Sequence, residues 1–91
     1  MKKINFNELN KISDCPSIWE GNFCDGSFCL IKYDNDELDV YCSNEKIELN
    51  NCNIDDHLLL SIEDILNKPE CGHINEDVLH EILITNELID E

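Results

Sequence analysis

Residues 27–43 read SFCLIKYDNDELDVYCS, and the fold turns on them. Two β-prone runs flank DNDE at 34–37, which specifies an antiparallel hairpin with a two- or four-residue turn. Either turn length sets Tyr33 opposite Leu38, Ile31 opposite Val40 and Cys29 opposite Cys42. Side chains alternate along a strand, so these six share one largely apolar face, while Lys32 and Asp39 point the other way. A preceding strand over Ile18 to Phe23 and a following one in EKIELN (45–50) would extend the hairpin into a three- or four-stranded antiparallel meander.

Upstream, INFNELNKIS (4–13) spaces Phe6, Leu9 and Ile12 three apart, and Asn5 with Glu8 resembles a capping box. A short N-terminal helix is expected there, broken by Pro16 and Gly21. Downstream, two helices are expected. The first, NIDDHLLLSIEDILNK (53–68), has Asn53 as N-cap, acids in its first turn, and Leu58, Ile62, Ile65 and Leu66 on one face; Pro69 stops it. The second, INEDVLHEILITNELIDE (74–91), starts at Asn75 with Ile74 and Leu79 placed as a hydrophobic staple. Val78, Leu79, Ile82, Leu83 and Ile89 form its apolar stripe. Residues 1–91 therefore read as one α+β domain, a small antiparallel sheet with helices on one face. A chain of this size buries a marginal core.

Twenty-one acidic residues face six lysines, no arginine is present, and the formal net charge is −15. Such an excess repels nucleic acid and anionic membrane and draws a basic partner from a distance. A net charge of roughly −8 already suffices for the solubility of a small domain, so the surplus implies a use. The start, MKKINFNELN, has two lysines and no apolar stretch behind them, so no signal peptide is predicted and a cytoplasmic protein is expected. No run is long enough to span a membrane. Asn, Ile, Asp and Glu abound while Ala, Arg and Gln are missing, a vocabulary of A/T-rich codons expected of a low-G+C genome or one of its phages.

Six cysteines are many for 91 residues. In a cytoplasmic chain they point away from disulfides. Cys29 and Cys42, opposite each other on the hairpin's apolar face, read as small hydrophobes. Cys15, Cys24, Cys52 and Cys71 lie instead in turn-like segments, where packing gives no reason for cysteine. Cys71 and His73, two residues apart in NKPECGHINED (67–77), could supply two ligands from one turn. One structural zinc is therefore expected on Cys24, Cys52, Cys71 and His73, with Cys15 as the alternative fourth ligand. A closed four-ligand zinc would staple a marginal core, contributing on the order of 10 kcal/mol. Paired C-x₂-C knuckles are absent from the sequence, and scattered thiols are the competing reading. His57 and His80, each beside acids, read as solvated.

The sequence contains no Gly-rich phosphate loop, no G-x-S-x-G and no H-E-x-x-H. A Cys71 thiolate would be disfavoured in so negative a field, and no arginine is available for an oxyanion. The chain is not expected to be an enzyme; it acts by binding. The most basic protein surfaces hold nucleic acid, and a carboxylate-studded surface can occupy the same groove. On the last helix Asp77, Glu81, Glu87 and Glu91 fall near four-residue spacing, a row that costs helix stability unless a partner neutralises it.

In size, absence of arginine, acid count and vocabulary, and in its Lys-free ending ECGHINEDVLHEILITNELIDE (70–91), the chain resembles the small phage-encoded anti-CRISPR proteins that inhibit type II effector nucleases. The resemblance is one of whole-chain profile, without a shared motif. It implies a stoichiometric inhibitor that sits in a basic channel of the RNA-guided nuclease and blocks DNA loading. The same electrostatics suit an immunity protein neutralising a nuclease toxin. A third reading is a zinc-stabilised regulatory adaptor.

Overall fold

The computed structural model of the chain describes residues 3–47, 54–63, 65 and 74–89. Five strands, β1 (Asn10–Asp14), β2 (Ser17–Asn22), β3 (Phe28–Asp34), β4 (Glu37–Ser43) and β5 (Leu58–Glu63), form one open antiparallel sheet in the order of the sequence. A single helix, α1 (Glu76–Thr85), is the α element among the described residues. The expected α+β class holds in outline, with more strands and fewer helices than the sequence led us to expect.

The β3–β4 hairpin has the predicted register: Tyr33 pairs with Leu38, Ile31 with Val40, and Cys29 with Cys42. Its turn has two residues, Asn35 and Asp36, both left-handed at φ 52° and 60°. That geometry matches the twist of the strands, and Asn and Asp tolerate it better than most residues. The turn is locked by the buried Tyr33 hydroxyl, which donates to Asp36 Oδ1 at 2.7 Å.

Three expectations need correction. The N-terminal helix is only one 3₁₀ turn, Phe6–Glu8, and the Asn5 side chain makes no capping bond. Ile12 lies in β1, which pairs with β2 across the Cys15–Pro16 turn, so Pro16 joins two strands rather than ending a helix. In β2, Gly21 is required by close approach: a Cβ there would lie 3.0 Å from the Glu8 carbonyl oxygen and from Leu9 Cδ2. Of EKIELN, expected as a fourth strand, the described part, Glu45–Ile47, forms no strand, and residues 48–50 lie outside the described residues.

The largest correction falls on residues 54–63, expected as helix. Ile54–His57 make a 3₁₀ turn and Leu58–Glu63 are β5, paired to β4 with Leu60 opposite Val40 and Ile62 opposite Leu38. Leu58, Leu60 and Ile62 also satisfy a two-residue period, and the apolar edge of β4 decides between the two readings. A bulge at Leu59, between Val40 and Tyr41 on the partner strand, lets Leu58 switch faces.

α1 begins as predicted. Asn75 Oδ1 accepts from Val78 N at 2.9 Å, and the staple residues Ile74 and Leu79 are both buried in the main core. The helix is shorter than expected because Glu87 turns left-handed at φ 61°. Leu88 N then donates to Leu83 O at 2.8 Å and Glu87 N to Ile84 O at 3.0 Å, the bond pattern of a Schellman cap. Ile89 is buried, but past the helix rather than on its stripe.

The main core lies between the sheet and α1, with Trp19, Ile31, Tyr33, Leu38 and Val40 facing Leu79, Leu83 and Leu88. At one end, buried Ser17 donates from Oγ to Asp14 O at 2.8 Å and accepts from Ile74 N at 3.1 Å, fixing the start of α1 over the β1–β2 turn. At the other, Ile4 N donates to Leu88 O at 2.6 Å and Cys24 N to Lys3 O at 2.7 Å. Ile74 and Leu88, which flank α1, are thus tied near opposite ends of β2. On the outer face a smaller cluster gathers Leu30, Tyr41 and Ile47. Among the described residues no helix is long and apolar enough to cross a membrane.

Candidate functional site

The outer sheet face carries a row of acids that only the strand pairing reveals. Asp34 on β3 lies directly opposite Glu37 on β4, and Glu37 lies directly opposite Glu63 on β5. Three strands thus set a carboxylate at one level of one face. At the next level stand Lys32, Asp39 and Ser61, with Lys32 directly opposite Asp39. Like charges directly opposite across strands destabilise a sheet.

Ser61 Oγ lies 2.7 Å from Asp39 Oδ1 and 3.0 Å from Glu37 Oε1. A hydroxyl has one proton and can donate to one carboxylate at a time, so the two carboxyls compete for it. Burial, and after it Glu37, hold the Asp39 carboxyl above the usual aspartate range, against the lowering effects of Ser61 and Lys32. Burial, followed by the charges of Asp39 and Asp55, pushes the Tyr41 phenol up to about 12. Negative potential thus accumulates on this face, in a form a cationic group would relieve.

The helical acids are placed differently. Asp77 and Glu81 are exposed, four apart on α1. Glu87 lies off that line, past the helix end, and its carbonyl accepts from Lys3 Nζ at 2.8 Å. Glu91 lies outside the described residues.

Of the expected zinc ligands, Cys52, Cys71 and His73 also lie outside the described residues. Cys15 and Cys24 are both exposed, in the turns before and after β2. A strand of six residues separates these turns, about 20 Å at ~3.3 Å per residue, so the two thiols cannot share one ion. Ile74, next to His73 in the chain, is bonded to Ser17 at the Cys15 end. Among the described residues no group of three or more His, Cys, Asp and Glu side chains is arranged to hold a metal. Burial, and after it Cys42, pushes the Cys29 thiol up to about 12, as suits a small hydrophobe in a core. His80 is half-buried and meets the Phe6 ring edge-on, with centroids 4.8 Å apart, rather than being simply solvated.

No protein-family model, curated protein or solved structure matches this chain.

Proposed function

We propose that this chain is a stoichiometric protein inhibitor. It binds a basic nucleic-acid-binding surface of an RNA-guided CRISPR nuclease in the host cytoplasm and blocks DNA loading. The observation that carries the binding half is the Asp34–Glu37–Glu63 row, with Asp39 beside it. A sheet face that opposes like charges in register costs stability, and a cationic partner recovers that cost on docking. The acidic excess over the whole chain, −15, supports long-range steering to the same partner. The choice of a type II effector rests on the resemblance of the whole chain. An immunity protein would present the same face to a nuclease toxin.

Asp77 and Glu81 add exposed acid on α1, which covers the other face of the sheet, and Glu87 adds to it past the helix end. A structural zinc belongs to the proposal, held by Cys52, Cys71 and His73. The bond from Ile74 to Ser17 favours Cys15 over Cys24 as the fourth ligand. Elemental analysis of protein purified without added metal tests that part. About one zinc per chain is expected, and a content near zero removes the metal.

The inhibitor reading is tested by a cleavage assay with guide-loaded type II effector, adding this protein before or after target DNA. Inhibition only when the protein precedes DNA is expected. Equal inhibition in both orders overturns blocked DNA loading. No inhibition of any type II effector from low-G+C hosts transfers the proposal to the nuclease-toxin partner.

A further inference from the structure

Between β5 and α1 the surface opens into a groove of about 430 Å³. Its floor is apolar, made by Ile62 and Ile65 on one side and Val78 and Ile82 on the other. All four are half-buried and pack against the main core, so each turns one side to the core and one to the groove. Exposed Glu81 lines it from the helix, and Glu63 forms its rim at the end of β5, where the Glu63 side chain belongs to the outer face. The groove is thus an apolar trough with one carboxylate, Glu81, on its helix bank and a second, Glu63, at the sheet edge beside it. Its volume falls within the roughly 300–1,000 Å³ of side-chain and small-ligand pockets.

The charges select the occupant. Carboxylates on the helix bank and at the sheet edge beside it repel anything acidic, so a nucleic-acid backbone is excluded, and a second copy of a chain carrying −15 is disfavoured on the same ground. An apolar side chain alone would leave both carboxylates unpaired. An apolar side chain flanked by lysine or arginine satisfies both the floor and the carboxylates. Glu63 also ends the acidic row of the outer face, so a bound segment would meet that row as it leaves the groove. Among the described residues no strand lies beyond β5, and a sheet edge offers an extended segment backbone partners.

We infer that the groove between β5 and α1 is a docking site for an extended basic segment of the partner protein, anchored by one apolar side chain between cationic ones. The inference rests on the proposed binding of a basic partner and adds to it where the partner is gripped. Electrostatic attraction to the outer face alone would be diffuse and tolerant of sequence; an anchor in the groove makes recognition selective. Burial of a leucine-sized side chain corresponds to roughly a 10- to 100-fold gain in affinity.

The test uses the isotopically labelled full chain and a short peptide with one leucine between two pairs of lysines. Amide shifts should concentrate at Ile62, Glu63, Ile65, Val78, Glu81 and Ile82. The same peptide with serine in place of leucine should bind about tenfold more weakly. The Glu63→Lys, Glu81→Lys double variant, altered only at exposed positions, should lose at least as much affinity for the leucine peptide. Shifts confined to Asp34, Glu37 and Asp39, with leucine and serine peptides bound equally, would overturn the groove while leaving the basic-partner reading standing. No shift anywhere would overturn both. Groove shifts that appear without peptide as protein concentration rises would show that a second copy fills it, and would overturn the inference as well.

Discussion

Glu37→Gln should stabilise the protein at low salt. Glu37 has a carboxylate directly opposite it on each neighbouring strand, Asp34 and Glu63. With charges about 6 Å apart in an exposed, water-like setting, each opposition costs roughly 0.6 kcal/mol at ~10 mM salt and about 0.1 kcal/mol at ~1 M. Removing the charge while keeping an amide oxygen to accept from Ser61 should therefore add about 1 kcal/mol at low salt. That corresponds to a rise in Tm of roughly 4–8 °C for a domain of this size. At ~1 M salt most of the gain should vanish. The assay is urea unfolding followed by circular dichroism at both salt concentrations, on Glu37→Gln, Glu63→Gln and the double variant. The two changes should be less than additive by about 0.5 kcal/mol at low salt, because each removes the same opposition. A neutral or destabilising Glu37→Gln, or a gain that persists in high salt, would refute the row as a source of strain. The pH dependence has a fixed sign. Burial and Glu37 raise the Asp39 carboxyl in the folded state, so the folded protein binds that proton more tightly than the unfolded chain. The contribution of that carboxyl to stability should therefore be greatest below the unfolded aspartate range and fall as pH rises through the folded value, and Glu37→Gln should flatten that fall.

Three further outcomes follow from local geometry. Glu87→Gly should stabilise by about 1 kcal/mol, read as a higher urea midpoint, because Glu87 occupies the left-handed position of the Schellman cap. Asn75→Ala should cost about 1 kcal/mol in the same measurement, through loss of the cap to Val78 N. In thiol titration of the native protein at neutral pH, exposed Cys24 should react quickly and exposed Cys15 should do so once zinc is chelated, while buried Cys29, with its thiol pushed up to about 12, should react only on unfolding.

The β3–β4 hairpin was legible down to its register because alternation, turn residues and pairing all lie within residues 27–43. The start of α1 was equally legible, since a cap at Asn75 and a staple from Ile74 to Leu79 are local devices. Residues 58–63 misled because Leu58, Ile62 and Ile65 fit a helical face while Leu58, Leu60 and Ile62 fit a strand. The choice was made by β4, which no local pattern reports. The same misreading hid the acidic row and the groove, since Glu63 meets Glu37 and Glu81 flanks Ile62 only once β5 is a strand. The end of α1 was overextended because an acidic residue, not a glycine, turns left-handed at 87. Asp77 and Glu81 were singled out for a helical charge row; the register of the sheet gathers more acid on the outer face than the helix does.

The most direct test of acid-steered binding to a basic nucleic-acid surface is the association rate constant with guide-loaded type II effector nuclease, measured across salt for the wild type and for Glu37→Lys with Glu63→Lys. Steering predicts that kon for the wild type falls at least about tenfold between ~50 and ~500 mM salt, with the reversed variant slow and nearly flat. A wild-type rate indifferent to salt, or a reversed variant that associates as fast as the wild type, would contradict it.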